Sequence, residues 1–383
     1  MSNCSRATNA DVVESVPGHD TLSPSTHRRI LELDALRAMA AINLILFHFT
    51  HVYSEKYGFS SPLGGKWPFG AYGVELFFIL SGFVNSMSLM RRGRRIDFLM
   101  ARLIRIVPLF LIVVLANVWI CSMAPLSEQP VTSGQFLANL TLMPRAFGFS
   151  CIDPVMWTLQ VEMMFYGLLV VLHRVGGLKH YFVGWGLVVA LSYVLCPSLD
   201  SMAATQSERW WFAAASGLRQ CFVLDFAPLF AIGFLLYQFK TRVGSRWQNV
   251  IAMLVSAWVF HQIDHGKHNP AATALIVGVV AMAAYGKIPV LRWQPIMLIS
   301  TISYPLYLCH NNIGCVLMHT FDGVGVPPWL CLVIAIAFSL SMAILITRRV
   351  EQPMTKWLRS RLIDQSTKPS DRTGVVIANR VMA

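Results

Sequence analysis

The chain has 383 residues, of which 55% are hydrophobic and only 13% charged, and its mean hydropathy is +0.55. Soluble domains are about 25% charged, so this composition excludes an ordinary soluble fold and points to an integral membrane protein. The net charge of +12 has no interleaved aromatic platform and recurs in alternate loops, which excludes a nucleic-acid partner and fits one basic membrane face in contact with lipid.

The first 29 residues hold Ser, Thr, Pro and acidic groups without an apolar run, so they read as a flexible N-terminal tail rather than a secretory signal. A bilayer core of about 30 Å takes about 20 apolar residues per helix. Ten segments approach that length in chain order: Ala35–Tyr53, Gly73–Met90, Leu103–Cys121, Met156–His173, Tyr181–Cys196, Cys221–Phe239, Val250–Ile263, Ala271–Tyr285, Pro295–Met318 and Trp329–Thr347. The predicted fold is an all-α integral membrane protein of about ten transmembrane helices, with a transmembrane domain over 30–358 and a C-terminal tail over 359–383. No internal repeat or low-complexity tract interrupts it.

Cytoplasmic loops collect Lys and Arg. With Arg28 and Arg29 inside, alternating spans bring the Arg91–Arg95 run, Arg174, Lys179, Lys240–Arg246, Lys287–Arg292 and the tail from Arg348 to the same side. Only Lys56, Lys66, Arg145, Arg209, Arg219 and Lys267 fall opposite, out of 31 basic residues. Both termini are therefore expected in the cytoplasm.

Against this apolar background the ionisable groups inside spans stand out, because each costs several kcal/mol by some estimates and about 3 by others. Arg37 and His48 lie on the first helix, and eleven steps of 1.5 Å separate them by roughly 16 Å in depth. Glu75 opens the second helix from outside, Glu162 lies about a turn and a half into the fourth, and His310 is in the outer half of the ninth. These two histidines and two glutamates are expected to converge in depth on one external-side cavity. Arg102 and Arg105 start the third helix from the cytoplasm, and their three-residue spacing gives them one helical face near the depth of Arg37. Paired guanidinium forks suit phosphate, although a basic flank alone would produce the same pair. Ser303, Tyr307 and His310 share a helix bent by Pro305, and plain packing accounts for them equally well.

Eight cysteines carry no Cys-x-x-Cys pair; Cys121 and Cys151 flank one external stretch and are either a disulfide or free buried thiols. His261, His265 and His268 crowd a short loop near Asp264, where a solvated loop is expected rather than a metal site. The loops Tyr53–Tyr72, Met123–Val155 and Pro197–Gly217 hold Trp67, Trp210 and Trp211, which suit sugar stacking and membrane interfaces alike.

Together these blocks resemble the membrane-bound acyltransferase 3 family of bacterial O-acyltransferases. The resemblance rests on Leu33-Asp34-x-Leu36-Arg37 followed by His48, on Gly73-Val74-Glu75-Leu76-Phe77-Phe78 through Gly82-Phe83, and on Arg102-x-x-Arg105 with Pro108. It continues in Trp157-Thr158-Leu159-x-x-Glu162, Ser303-Tyr304-x-x-Tyr307-Leu308-x-His310 and Glu351-x-Pro353. It implies a multi-pass protein of the bacterial inner membrane that moves an acyl group from cytoplasmic acyl-CoA, acetyl-CoA for instance, to a hydroxyl of a carbohydrate or glycolipid near the external side. Acceptors of the family include exopolysaccharide, lipopolysaccharide and nodulation oligosaccharides, and polysaccharide-assembly partners are compatible with it. By the same resemblance His48 is the essential histidine, Glu75 and Glu162 are the acidic positions, and Arg37, Arg102 and Arg105 form the donor side, with no tightly bound cofactor and no metal. Some members carry a further soluble C-terminal domain, which is not expected here.

The chemistry fits independently, since O-acyl transfer needs a base for the hydroxyl proton and His titrates near 6.5. His48 is expected to be that base or an acyl relay, with Glu75 or Glu162 orienting its ring. Two other readings remain: a carrier or exporter using the same groups as a proton relay, and a haem protein with His48 and His310 as axial ligands.

Overall fold

The computed structural model describes residues 30–363 apart from 93, 124–129 and 208, without the side chains of 92 and 176–181. The N-terminal tail therefore lies outside the described residues, as does the C-terminal tail beyond 363. Among the described residues every regular element is helical.

Helix α1 (Leu31–Leu46) runs without a break into a widened π turn, Phe47–Val52, and the short α2 (Tyr53–Lys56). Two hydroxyls sit where the ladder loosens: Thr50 Oγ1 donates to the Leu46 carbonyl at 2.7 Å and Ser54 Oγ to that of Thr50 at 2.5 Å. Such back-bonding competes with the backbone for the same acceptors, and π turns gather at functional sites. Trp67, just ahead of α3 (Tyr72–Arg92), ties its loop onto α1 by donating its indole N–H to Asn43 at 2.6 Å and its backbone N–H to Thr50 at 2.9 Å.

Helix α4 (Arg95–Met123) contains Pro108, and α5 (Ser133–Leu140) is capped by Thr132. Helix α6 covers Trp157–Gln206, but it cannot be straight. Twenty residues would put Phe165 and Trp185 about 30 Å apart in a straight helix, yet their ring centroids are 6.3 Å apart. The chain therefore doubles back between Phe165 and Trp185, giving the antiparallel pair that the sequence predicts. Helical structure also runs through Pro197 to Gln206 and resumes in α7 (Trp210–Cys221), where the sequence predicts a loop.

The remaining elements are α8 (Ala227–Thr241), α9 (Arg246–Ile263), α10 (Pro270–Ala284), α11 (Gln294–Gly323), α12 (Pro328–Ile346) and α13 (Gln352–Leu362). Helix α13 carries the chain past the domain edge expected at 358. Among the described residues six segments are long and apolar enough to cross a bilayer: Leu31–Lys56, Pro68–Arg91, Arg95–Met123, Pro154–Val175, Phe182–Gln206 and Pro328–Leu362. Helices α8 and α10, at 15 residues each, are about 22 Å long and do not span a 30 Å core unaided.

Lipid tails are as apolar as Leu, so helices in a bilayer associate through close packing rather than hydrophobic exclusion. The pair α3 and α8 illustrates this. A Cβ on Gly82 would overlap the Phe230 carbonyl, and one on Gly233 would overlap that of Ile79. Around this contact the main core includes Phe78, Phe165 and Phe230, the last two stacked at 4.0 Å. A second cluster joins Phe49 and Tyr53 to α11 and α12. Helices α1, α3, α4, α6 and α11 leave one cavity between them.

Candidate active site

His48 enters the site from the π turn, and its Nδ1 lies 2.9 Å from Nε2 of His310 on α11. The other nitrogen of the fully buried His310, Nδ1, faces backbone carbonyls one turn back, Tyr307 at 2.9 Å and Leu306 at 3.2 Å. A carbonyl only accepts, so Nδ1 of His310 carries the proton and, in the neutral ring, Nε2 accepts. His48 must then donate through Nδ1, which leaves its Nε2 with a free lone pair. This assignment leaves His48 Nε2 as the nitrogen of the pair able to accept a proton, with His310 holding the other side of its ring. The rings of Phe47, Phe49 and Tyr307, with centroids 5.5–6.0 Å from the nearer histidine, surround the pair.

Beside the pair, beyond the Tyr307 ring, a cavity of about 120 Å³ is lined by Leu44, Tyr307, Arg37, Arg102, Arg105 and Glu162. Arg37 is paired with Asp34 at 3.6 Å, while Arg102 lies over the Phe98 and Tyr166 rings at 5.6 and 5.9 Å. Glu162 accepts from Ser81 at 3.2 Å and from the Tyr166 hydroxyl. Glu351, on a second π turn at Thr347–Glu351, is within electrostatic reach of Arg105. Three guanidinium groups lining one cavity give it a chemistry suited to an anion.

The structure gathers Arg37, Arg102, Arg105, Glu162 and Tyr307 around one cavity, so Glu162, expected in an external-side cavity with the histidines, sits with the arginines instead, while His48 and His310 pack behind Tyr307 and do not line that space. The expectation that Glu75 or Glu162 orients the His48 ring is not met, because His310 holds that position. Nor do the two glutamates share a cavity. The buried Glu75 accepts from Thr273 on α10 at 2.7 Å and lies 3.8 Å from Nε2 of His268, whose Nδ1 is 2.9 Å from Asp264. Rise per residue fixes a group's depth but not the direction in which its helix face turns, and the α3 face bearing Glu75 turns toward α10.

Four participants escape the sequence reading: Tyr166, Thr158, Asp153 and Asn311. Tyr166 follows Glu162 by one turn, the spacing at which helical side chains meet. Tyr307 and Thr158 hydrogen-bond to each other, and Tyr307 also donates to the Val155 carbonyl. Asp153, fully buried ahead of α6, accepts from Asn311 at 2.9 Å and from the backbone N–H groups of Val155 at 3.2 Å and Asn312 at 3.3 Å, fastening α6 to α11 beside His310. Burial raises its carboxyl pKa to about 6. Asp153-Pro154 is a helix-start signature that was legible, and Asn311-Asn312 beside His310 is a polar run in an apolar helix. Cys121 and Cys151 are free thiols.

Comparison with known proteins places the chain in a family. The family model for an acyltransferase domain matches residues 30–348. Nodulation protein 10 of Rhizobium leguminosarum bv. viciae is 25% identical over 376 residues, covering 88% of this chain and 96% of that protein. Exopolysaccharide production protein ExoZ of Rhizobium meliloti (strain 1021) is 25% identical over 321 residues, covering 78% of this chain and 94% of its own length. No solved structure matches. With five-sixths of its length under one family model and the arginine-lined cavity and histidine pair built from the blocks that carried the resemblance, the chain belongs to the membrane-bound acyltransferase 3 family.

Proposed function

We propose that the protein transfers an acyl group, acetyl in the simplest case, from acyl-CoA to a hydroxyl of an exported carbohydrate. The observation that carries this reading is the His48–His310 pair, whose bonding leaves His48 Nε2 unprotonated, with His310 packed on Tyr307, a wall residue of the cavity that holds three arginines. The names of the two relatives, one tied to nodulation and one to exopolysaccharide production, favour a surface polysaccharide or signalling oligosaccharide as acceptor.

In this mechanism Arg102 and Arg105 grip the CoA phosphates at the cytoplasmic mouth, and Arg37 lines the channel along which the thioester reaches inward. His48 Nε2 removes the acceptor hydroxyl proton as its oxygen attacks the thioester carbonyl. The His48 imidazolium stays hydrogen-bonded to His310 Nε2, and collapse of the tetrahedral intermediate expels the CoA thiolate, which takes that proton. If His48 first receives the acyl group, the same proton balance holds over two steps. Glu162 holds Tyr166 beside Arg102, and Glu75 acts away from the reacting atoms, anchoring α3 to α10. Acyl-CoA is a substrate here and not a resident cofactor. The chain crosses the bacterial inner membrane about ten times with both termini in the cytoplasm, which gives the arginines the donor side.

Purified protein in vesicles, supplied with radiolabelled acetyl-CoA outside and a glycan inside, tests this reading. Label on the glycan is the expected result. A glycan that crosses the membrane unlabelled would instead make the protein a carrier.

A further inference from the structure

A second cavity, of about 310 Å³, lies on the opposite face of α6 from the arginine-lined one. Thr158, Leu159, Glu162 and Tyr166 face the first cavity, while Trp157, Gln160, Val161 and Met164, at the alternate helical spacing, face the second. Arg145, Arg219, Gln220 and Asp225 complete its polar lining.

Two features define what it would hold. The side-chain oxygen of Gln160, a residue only 4% exposed, has no hydrogen-bond partner, and neither has that of Gln220. Buried polar atoms are rarely left this way, and two in one cavity call for a ligand with hydrogen-bond donors. The charges are already matched. Arg219 is bonded to Asp225 at 2.5 Å and to Asp200 at 2.6 Å, and the Arg145 guanidinium lies 5.5 Å over the Trp157 ring. A site with balanced charge offers no preference for an anion. It offers acceptors in Gln160, Gln220 and Asp225, donors in the amides, and an apolar wall in Trp157 and Phe226, whose rings are 5.3 Å apart. Its volume is at the low end for small-molecule pockets. Trp157 also packs on Phe78, which lines the first cavity, so the two spaces share a wall.

We propose that this cavity is a carbohydrate subsite that binds a neutral sugar unit of the acceptor, next to the unit being acylated; the identity of that ligand as an acceptor rests on the acyltransfer reading above. Hydroxyl groups of the sugar donate to Gln160 Oε1 and Gln220 Oε1, and its C–H face lies on the Trp157–Phe226 wall. The anchored chain brings a neighbouring hydroxyl toward Thr158 and Tyr307.

The test is equilibrium binding of labelled neutral tetrasaccharides of glucose and of N-acetylglucosamine to the purified full-length protein, without acyl-CoA, alongside transfer assays on the same preparations. Gln160→Leu and Gln220→Leu, checked for a wild-type melting transition, are each expected to weaken sugar binding and raise the acceptor KM about tenfold, with the acyl-CoA KM unmoved. Gln220 is half-buried and tolerates replacement even where Gln160 does not. Absence of sugar binding, or equal binding by wild type and both variants, overturns the subsite. A protein that binds the sugar through these glutamines but transfers no acyl group to it retains the subsite and loses the acyltransfer reading.

Discussion

His48 has a free lone pair only because His310 fixes its other nitrogen, and His310 is itself fixed by backbone carbonyls that only accept. His310→Gln keeps an acceptor near His48 Nδ1 and is expected to retain measurable turnover. His310→Leu removes the acceptor and should lower kcat by about 10² or more, and equal turnover in the two variants would detach His310 from catalysis. At the donor end, charge-assisted contacts are worth about 1.5–3 kcal/mol, so Arg102→Ala and Arg105→Ala should each raise the acyl-CoA KM about tenfold or more. An unchanged KM would leave both arginines as markers of membrane orientation. Asp153 gives a pH signature. Its carboxyl is raised by burial to about 6, above the unfolded value near 3.9, so the folded state holds the proton more tightly. That stabilisation is complete below about pH 4 and is lost as pH rises through about 6. Melting temperatures should fall across this window in the wild type, and Asp153→Asn should flatten the curve.

Among the elements, what the sequence discloses is depth. Arg37, Arg102 and Arg105 meet around one cavity because a fixed rise per residue converts position in a span into height in the membrane, whereas Glu162, expected with the histidines, joins the arginines. Azimuth is not disclosed in this way. Nothing along Gly73–Phe83 tells that Glu75 turns to Thr273, or that His48 finds a histidine in place of a carboxylate, since those facts belong to the packing of helices distant in sequence. The π turn at Phe47–Val52 is likewise hidden, because its cause lies in hydroxyls competing for carbonyls and not in apolar periodicity. Helix contact is legible afterwards in small residues. Gly82→Ala would set a Cβ against the Phe230 carbonyl, and overpacking of this kind costs about 1–3 kcal/mol. A lower melting temperature in detergent is the expected readout, and a wild-type value would mean that α3 and α8 separate freely.

Over the whole molecule, the reaction as proposed needs two aqueous faces with different contents: nucleotide on the side of the arginines and sugar on the side of the histidines and the second cavity. The basic loops make this testable without an activity assay. In a cysteine-free background, Lys267→Cys in the loop between α9 and α10 should react with a membrane-impermeant maleimide on intact inner-membrane spheroplasts. Arg242→Cys, between α8 and α9, should react only after permeabilisation. The reverse pattern would invert the protein and put the arginine mouth on the side without acyl-CoA. Six apolar segments of spanning length and a helix α6 that doubles back make the bundle legible as a membrane domain from composition alone, whereas the two cavities on either side of α6 emerge only once the helices are packed.

The central claim is that His48 does the chemistry, and it is tested most directly by acyl transfer from radiolabelled acetyl-CoA in vesicles carrying wild type or His48→Ala at matched protein content. The account predicts label on the glycan with the wild type and less than about 1% of that rate with the variant, while Arg102→Ala recovers its rate at high donor concentration. Full transfer by His48→Ala would contradict it.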